Sequence, residues 1–398
     1  MNLKTRINIK GYIYLTIFII LFSYFESPYL NTIVIISNIY NIGKVLSCML
    51  FALLIINNKK FDVPNYIMIV ITYNIYLFTR SVYLGLPIFN VLNQVLTSIT
   101  FFVFIDYFVK HYMREFFNSL FYVLFILVTI NFILMIKYKY GIYHIDDYNR
   151  SYWLFGHVNN MPVFLFPAII VSLMKLKSNS ILMKFSSILL LTISILSILY
   201  GKSATSIIGL LIIVFCLIIK SSKLSLIHFY FISLSFFTLI VVLGREYKIV
   251  YYISMFFNRS ITFTGRTNIW NSALYYINKK PLLGHGLETS LITIAKFNFV
   301  SPHNRYLYIL YTGGMLGFAL FTYFVFKIWR ISKNNYKNYS NNITYRSLYY
   351  TCCAIFIIFQ METYVGVLIY FPFILLVNFN NEMAYIFSIS KKGCINES

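Results

Sequence analysis

Long uninterrupted runs of apolar residues dominate this chain, and mostly short polar connections separate them. The runs show no alternation of apolar and polar residues, so they favour helices over the strands of a membrane barrel. A helix that crosses a bilayer needs about 20 apolar residues. The sequence predicts twelve such helices, at about residues 11–25, 33–56, 63–79, 87–109, 117–136, 158–174, 183–200, 203–219, 226–243, 305–326, 347–361 and 364–380.

Polar residues interrupt the second of these runs at Asn38, Asn41 and Lys44. Residues 29–37 could instead form a re-entrant or interfacial segment, so an arrangement of eleven helices stays open. Both arrangements are of one fold class, the all-α polytopic integral membrane protein, in which every backbone polar group is satisfied inside a helix.

The polar segment at residues 244–304 is the longest exception to the apolar pattern. It divides the chain into four predicted parts. These are an N-terminal transmembrane bundle (1–136), an outer loop with the middle helices (137–243), the outer loop in which we expect the chemistry (244–304), and the C-terminal helices with a tail (305–398).

Composition supports the membrane assignment and sets an orientation. Hydrophobic residues make up 59% of the chain and charged residues 11%, which is far from the composition of soluble domains. Alternate connections, beginning with the N-terminal segment, hold most of the lysines and arginines, and short cytoplasmic connections carry such an excess. We therefore expect both termini to be cytoplasmic and residues 137–157 and 244–304 to face outside.

The net charge of +22 lies mostly on the predicted inner face. Attraction to anionic headgroups explains it, so membrane lipids are expected partners and nucleic acid is not. Four of the five cysteines fall in predicted helices and Cys394 in the tail, which leaves no pair placed for an outer disulfide or a metal site.

The two predicted outer loops carry ten basic residues against four acidic ones. One interpretation is that long loops cross the membrane whatever their charge and simply solvate it. The other is that they bind an anion, most simply a phosphate or diphosphate held by arginine side chains.

An amphipathic pattern runs from Thr267 to Asn278 within the second outer loop. Five apolar residues share one helical face, and four polar residues lie opposite. This pattern is typical of a helix in the membrane interface, and Pro281 ends it. The preceding stretch, Ile249 to Phe263, is expected to dip into the interface without crossing. The loop would thus form a lid at which a lipid-linked substrate is met.

Three blocks of sequence resemble the O-antigen ligase/polymerase superfamily, and in particular Wzy-type polysaccharide polymerases. The first joins residues 264–270 (TGRTNIW) and 280–286 (KPLLGHG), and residues 302–307 (PHNRYL) and 313–317 (GGMLG) complete it. The second runs from Arg150 through residues 156–160 (GHVNN), with Val158 where the family commonly has Pro. The third is residues 202–206 (KSATS), with Ala204 where many members carry Arg.

The resemblance implies a glycosyltransferase that moves a growing glycan from undecaprenyl diphosphate onto a sugar hydroxyl of the next lipid-linked repeat unit. It implies a bacterial cytoplasmic (inner) membrane location, and flippase and chain-length regulator proteins as further partners. No cofactor is expected. A basic clamp can stabilise a departing diphosphate without a metal, and the outer loops contain no Asp-x-Asp pair.

Site residues follow from the same blocks. Arg266 would neutralise the leaving group, with Arg150 and Lys202 beside it, and His303 is the candidate general base. Further candidates for substrate binding are His157, Asn159, Gly284, Gly286, Asn304 and Arg305.

Several of these residues have a simpler interpretation. A histidine at the mouth of a helix can be an interfacial cap, and Gly284 with Gly286 first indicates a tight turn. The glycines at 313, 314 and 317 indicate close helix packing. Glu288 is a possible second carboxylate of the site, and Glu362, at membrane depth, is a functional candidate without an assigned role.

Two other functions fit parts of the pattern. A ligase of the same superfamily, which transfers the finished glycan to lipid A core or another acceptor, would share every block. A lipid-linked oligosaccharide flippase would have a similar number of helices, but it needs no long outer loop and should show repeat symmetry. The sequence does not reveal the sugar, the linkage or the oligomeric state.

Overall fold

Helices make up nearly all of the secondary structure in the computed structural model of the protein, which describes residues 3–57, 63–142, 151–219, 225–243, 266–364 and 366–386. The α-helices are α1 Leu3–Tyr24, α2 Val34–Asn57, α3 Asn65–Tyr83, α4 Ile88–His111, α5 Met113–Lys137, α6 Met161–Lys175, α7 Ile181–Gly201, α8 Ala204–Ile219, α9 Leu226–Phe236, α10 Arg266–Lys279, α11 Ser290–Phe297, α12 Arg305–Tyr339, α13 Ile343–Ile358, α14 Phe371–Val377 and α15 Asn381–Ile386. Two strands of two residues each, β1 Tyr152–Trp153 and β2 Gly156–His157, form an antiparallel ladder.

The all-α, polytopic membrane fold is confirmed. Helices overlap all twelve predicted segments, but the last, 364–380, contains only a 3-10 helix, Val367–Tyr370, followed by the seven-residue α14. Within the described residues six helices are long and apolar enough to cross a membrane. Five more apolar helices are shorter. The second run forms one continuous helix, Val34–Asn57, despite its polar residues. The number of crossings stays a prediction.

Helix α12 is longer than predicted, since it continues to Tyr339 instead of ending near residue 326. No proline or glycine follows Gly317 within it, and its second half buries Ile328 and Ser332. Its 35 residues include a break at Gly314, and the part after the break, residues 315–339, would alone span roughly 38 Å at 1.5 Å per residue. That length exceeds a hydrocarbon core of about 30 Å, so the helix extends beyond the membrane.

The predicted outer connections contact one another at one end of the helical bundle. Asn159 bonds Glu362, the Arg80 guanidinium donates to the Gly284 carbonyl, and the Ser81 hydroxyl accepts from the Leu287 amide. The predicted inner connections meet at the other end. There Asp106, on α4, accepts hydrogen bonds from Tyr66, Asn378 and Lys110.

A break in α12 holds residues 281–286 in place. Gly314 has φ +60° and ψ −162°, a conformation that is essentially restricted to glycine. The carbonyls of Tyr311 and Thr312 accept from the amides of His285 and Gly286, and the amides of Met315 and Leu316 donate to the carbonyls of Pro281 and Leu282. The packed segment thus satisfies the backbone groups that the break sets free.

The glycine predictions are partly confirmed by this arrangement. Gly284 and Gly286 have φ +67° and +73°, as a tight turn requires. Gly313 and Gly317 lie against tyrosines of α3, as predicted for close helix packing. Gly314 differs, because it forms the backbone break instead.

Candidate active site

A buried carboxylate, Glu362, is the centre of the candidate site. Its Oε1 accepts hydrogen bonds from Arg266 Nη2 at 2.6 Å and from Asn159 Nδ2 at 2.5 Å. Its Oε2 lies 3.1 Å from His303 Nδ1. Three distant parts of the sequence therefore meet at one carboxyl group.

Local backbone structure presents His303 to this carboxylate. Asn304 caps α12 by accepting from the amides of Tyr306 and Leu307, and its amide group donates to the Gln360 carbonyl. The Arg305 amide donates to the Phe359 carbonyl. His303 itself has φ +48°, a left-handed conformation that turns the chain just before the cap. The start of α12 is thereby fixed to the turn that carries Glu362.

Asn159 reaches Glu362 from the opposite side of the site. It lies in a short 3-10 helix, Val158–Asn160, directly after the β1–β2 hairpin. Its Oδ1 accepts a hydrogen bond from Ser203 Oγ at 2.7 Å, and its backbone amide donates to His157 Nδ1 at 3.3 Å. The side-chain amide of Asn159 thus donates through Nδ2 and accepts through Oδ1, and these two hydrogen bonds fix its orientation.

Electrostatics keep Glu362 ionised. Burial raises the pKa of its carboxyl group, but the hydrogen bond with His303 and the positive charge of Arg266 more than offset that effect and hold the pKa below the ordinary value. An ionised carboxylate can only accept, so Nδ1 of His303 carries the proton in this contact. Nε2 is then the ring nitrogen with a lone pair when the imidazole is neutral.

The cluster can support proton transfer because part of it is accessible. The His303 side chain is 21% exposed, whereas the Glu362 side chain is 9% exposed. A buried carboxylate that orients a more exposed imidazole is the arrangement by which enzymes set the tautomer of a general base. Arg266, at 16% exposure, adds a positive charge at the same place.

Arg266, His303 and Asn159 are the predicted site residues that this cluster brings together, with His157 next to Asn159. Lys202 ends α7 in a left-handed conformation and is exposed, and its neighbour Ser203 contacts the cluster through Asn159. Arg150 lies outside the described residues. Roles in substrate binding for all of these residues stay predictions.

Other predicted residues have contacts that belong to the fold. Gly284 and Gly286 form the turn against α12, and Asn304 is fully buried as the helix cap. Glu288 forms an ion pair with Lys296 at 2.6 Å and accepts from the Tyr311 hydroxyl. Arg305 lies on the other side of the Glu362 turn, where it donates to the carbonyls of Thr363 and Tyr364.

The prediction that residues 267–278 lie in the membrane interface was wrong in one respect. The segment is a helix, α10, but its face of Ile269, Trp270, Ala273 and Ile277 is buried in the protein, and α10 packs against α12. An apolar stripe on a helix fits a protein groove as well as a lipid surface. This packing places Arg266, the first residue of α10, beside Glu362. The predicted interfacial stretch from Ile249 to Phe263 lies outside the described residues.

Glu362 and Ser203 complete the cluster, although the sequence assigned no role to either. Glu362 carried a signal, since an ionisable residue at membrane depth is a functional candidate by default. Ser203 gave no separate sequence signal of a functional role, because serine is common at helix starts.

Residues 188–322 match the family model described as O-antigen ligase. This match confirms the resemblance to the O-antigen ligase/polymerase superfamily. The matched residues run from α7 into α12 and include Lys202, Arg266 and His303. They support a membrane glycosyltransferase of the ligase or polymerase type. No curated protein matches the chain.

Proposed function

We propose that the protein is a polysaccharide polymerase, which transfers a glycan from undecaprenyl diphosphate onto a lipid-linked repeat unit at the outer face of the cytoplasmic membrane. The observation that carries the proposal is the junction of His303, Arg266 and Asn159 at Glu362. It brings a base and a cation together at one carboxylate, and both serve transfer from a diphosphate donor.

His303 acts as the general base in this proposal. Its Nε2 takes the proton of the acceptor sugar hydroxyl while the hydroxyl oxygen forms a bond to the anomeric carbon of the donor glycan. The bond from that carbon to the diphosphate oxygen breaks, and undecaprenyl diphosphate leaves with the electron pair. Glu362 accepts from Nδ1 and stabilises the imidazolium ion that results.

Arg266 supports the departure of the diphosphate. Negative charge develops on the leaving oxygen, and a fixed guanidinium stabilises it more effectively in a poorly hydrated site than in water. Glu362 holds Arg266 in position through Nη2. Nη1 contacts the Met361 sulfur at 3.5 Å, a weak acceptor that a phosphate oxygen would replace at the planar guanidinium. Lys202 would add positive charge beside the cluster, and the sequence assigns Arg150 the same role, without a metal ion.

A reconstituted reaction tests the proposal directly. The purified protein receives lipid-linked repeat units from its source strain, with neither a second acceptor nor a nucleotide sugar. A polymerase releases undecaprenyl diphosphate and builds a ladder of multimers, and the ladder persists in EDTA. His303→Ala should abolish the ladder but retain binding of the donor. A ladder that His303→Ala leaves unchanged would remove His303 from catalysis.

The alternative is a ligase of the same superfamily, because the family match fits a transferase of either the ligase or the polymerase type. The two activities separate in the same assay, because a ligase forms no multimers until a second acceptor, such as lipid A core, is added. Movement of the lipid-linked donor across the bilayer without any transfer would indicate a flippase.

A further inference from the structure

A cavity, which we call the α4 cleft, lies beside the first half of α12. It has a volume of about 650 Å³, and its lining comes from α1 to α4, from α12 between Arg305 and Phe324, and from residues 366–370. Known ligand sites span roughly 300–1,000 Å³, so the α4 cleft is large enough for a small ligand. It is separate from the His303–Glu362 pair, neither of which lines it.

One wall of the cleft is polar although it belongs to a membrane helix. Asn93, Gln94 and Thr97 line it from the same face of α4, and both amide side chains are exposed. Helix α4 is apolar enough to cross the membrane. Amide groups exposed to lipid tails would be costly, so this wall favours a polar occupant.

The floor of the cleft holds a buried positive charge. Arg305 is only 7% exposed, and no carboxylate forms an ion pair with it among the described residues. Its guanidinium lies 5.3 Å from the ring centre of Tyr308 and 5.4 Å from that of Tyr370. Its Nε and Nη1 donate to protein oxygens, and Nη2 has no hydrogen-bond partner within the described part of the chain. A ligand oxygen would complete its coordination.

These groups match the chemistry of a saccharide. Amides, hydroxyls and a guanidinium can bond the many oxygens of a sugar, and the rings of Tyr73, Tyr308 and Tyr370, which also line the cleft, offer apolar faces with polar tips. A polyprenyl chain would instead require continuous apolar walls. Apolar side chains such as Ile69, Leu77 and Phe321 line much of the cleft, but the amide face on α4 and the charge of Arg305 interrupt them and favour a ligand with polar groups.

The position of the cleft relates it to the candidate active site. Arg305 follows His303 by two residues, and its Nη1 donates to the carbonyls of Thr363 and Tyr364, just after Glu362. One segment, residues 303–305, thus faces the candidate site on one side and the cleft on the other. A glycan bound in the cleft would lie next to the residues that act on its reactive end.

We propose that the α4 cleft binds the oligosaccharide part of the lipid-linked substrate. This inference rests on the proposed function for its biological meaning, but the binding itself requires no transfer. It assigns recognition of sugar oxygens to Asn93 and Gln94 and contact with a sugar hydroxyl or carboxylate to Arg305.

A binding experiment without chemistry tests this inference. The probe is the oligosaccharide released by mild acid from the lipid-linked repeat units of the source strain, so it carries neither lipid nor diphosphate. Its affinity for the full-length protein in nanodiscs is measured by saturation-transfer NMR titration. The variants are Asn93→Leu and Gln94→Leu. Asn38→Leu is the matched control, because Asn38 is an exposed amide of a neighbouring membrane helix that does not line the cleft.

We expect binding to weaken by about tenfold in each cleft variant, as the loss of one or two hydrogen bonds predicts, and to be unchanged in Asn38→Leu. Equal affinity of the cleft variants and the wild-type protein would overturn the inference, as would a wild-type protein that polymerises but does not bind the oligosaccharide. Binding in the cleft without any transfer would instead overturn the proposed function and leave the cleft assignment intact.

Discussion

At the scale of single residues, Glu362 joins polar side chains from three separate segments of the chain. Arg266, Asn159 and His303 each lie at a different helix start, and each contacts the same carboxyl group. A buried carboxylate requires such partners, because an ionised group without them would be too costly to bury. The cluster is therefore both a structural junction and the candidate catalytic centre.

Glu362→Gln removes the negative charge at this junction and keeps a side chain of nearly the same size. The amide oxygen can still accept from Asn159, but Arg266 loses its counter-charge and the His303 imidazolium loses its stabilising carboxylate. We expect transfer to fall by about 100-fold and the protein to lose about 3 kcal/mol of stability. Rate assays on lipid-linked substrate and thermal unfolding in detergent measure the two effects.

Glu288→Gln is the matched control for that substitution. Glu288 is equally buried and forms an ion pair with Lys296, yet it does not contact the His303 cluster. It should lower the unfolding temperature without a comparable loss of transfer. Equal losses of transfer in both variants would mean that the effect of Glu362 is only structural.

The pKa of Glu362 gives a separate test by pH. Because the folded pKa lies below the ordinary value, ionised Glu362 stabilises the fold fully above about pH 4.3, and this stabilisation is lost as the pH falls through the folded pKa. The unfolding temperatures of wild type and Glu362→Gln should differ at pH 7 and converge at low pH. A difference that does not change with pH would contradict the assignment.

At the scale of elements, the limits of sequence reasoning follow from long-range contacts. The apolar runs predicted the long helices, because a bilayer demands that length of apolar residues, whereas the short helices α11 and α15 were not predicted. The buried face of α10 was attributed to lipid, since an amphipathic stripe does not identify what covers it. The role of Gly314 was equally hidden, because its backbone conformation depends on residues 281–286, which lie elsewhere in the sequence. His303 and Arg266 were found from motifs, whereas their contact with Glu362 required the folded chain.

Gly314→Ala should therefore disrupt the packing of residues 281–286. A Cβ at this position would lie 2.4 Å from the Leu282 carbonyl oxygen, and the backbone conformation is strained for any other residue. We expect a loss of about 1–3 kcal/mol, measured as a lower unfolding temperature. Gly317→Ala is the control, because its Cβ would meet Tyr73 at 3.4 Å, an ordinary contact. Equal stability of the two alanine variants would refute the proposed role of the break.

At the scale of the whole molecule, the predicted outer connections lie together at one end of the bundle and the predicted inner connections at the other. Two orientations in the membrane follow, with the candidate site either at the outer surface or on the cytoplasmic side. The candidate site, the α4 cleft and residues 281–286 all lie at the end where α12 begins, and the Asp106 cluster lies at the other end. The excess of basic residues in the connections at that other end favours its cytoplasmic location. If this orientation holds, the candidate site faces the outer surface, where the proposed substrate is found.

Single-cysteine labelling decides between the two orientations. Ser290 and Asn334 are exposed positions at opposite ends of the bundle. Each is changed singly to cysteine in a protein in which Cys48 and Cys394 are replaced by serine. Cys216, Cys352 and Cys353 stay because they are buried and shielded from reagents. In intact cells a membrane-impermeant maleimide should label Ser290→Cys and spare Asn334→Cys, and permeabilised cells should show labelling at both. Labelling of Asn334→Cys alone in intact cells would place the His303–Glu362 pair on the cytoplasmic side, and a polymerase acting at the outer face would be excluded.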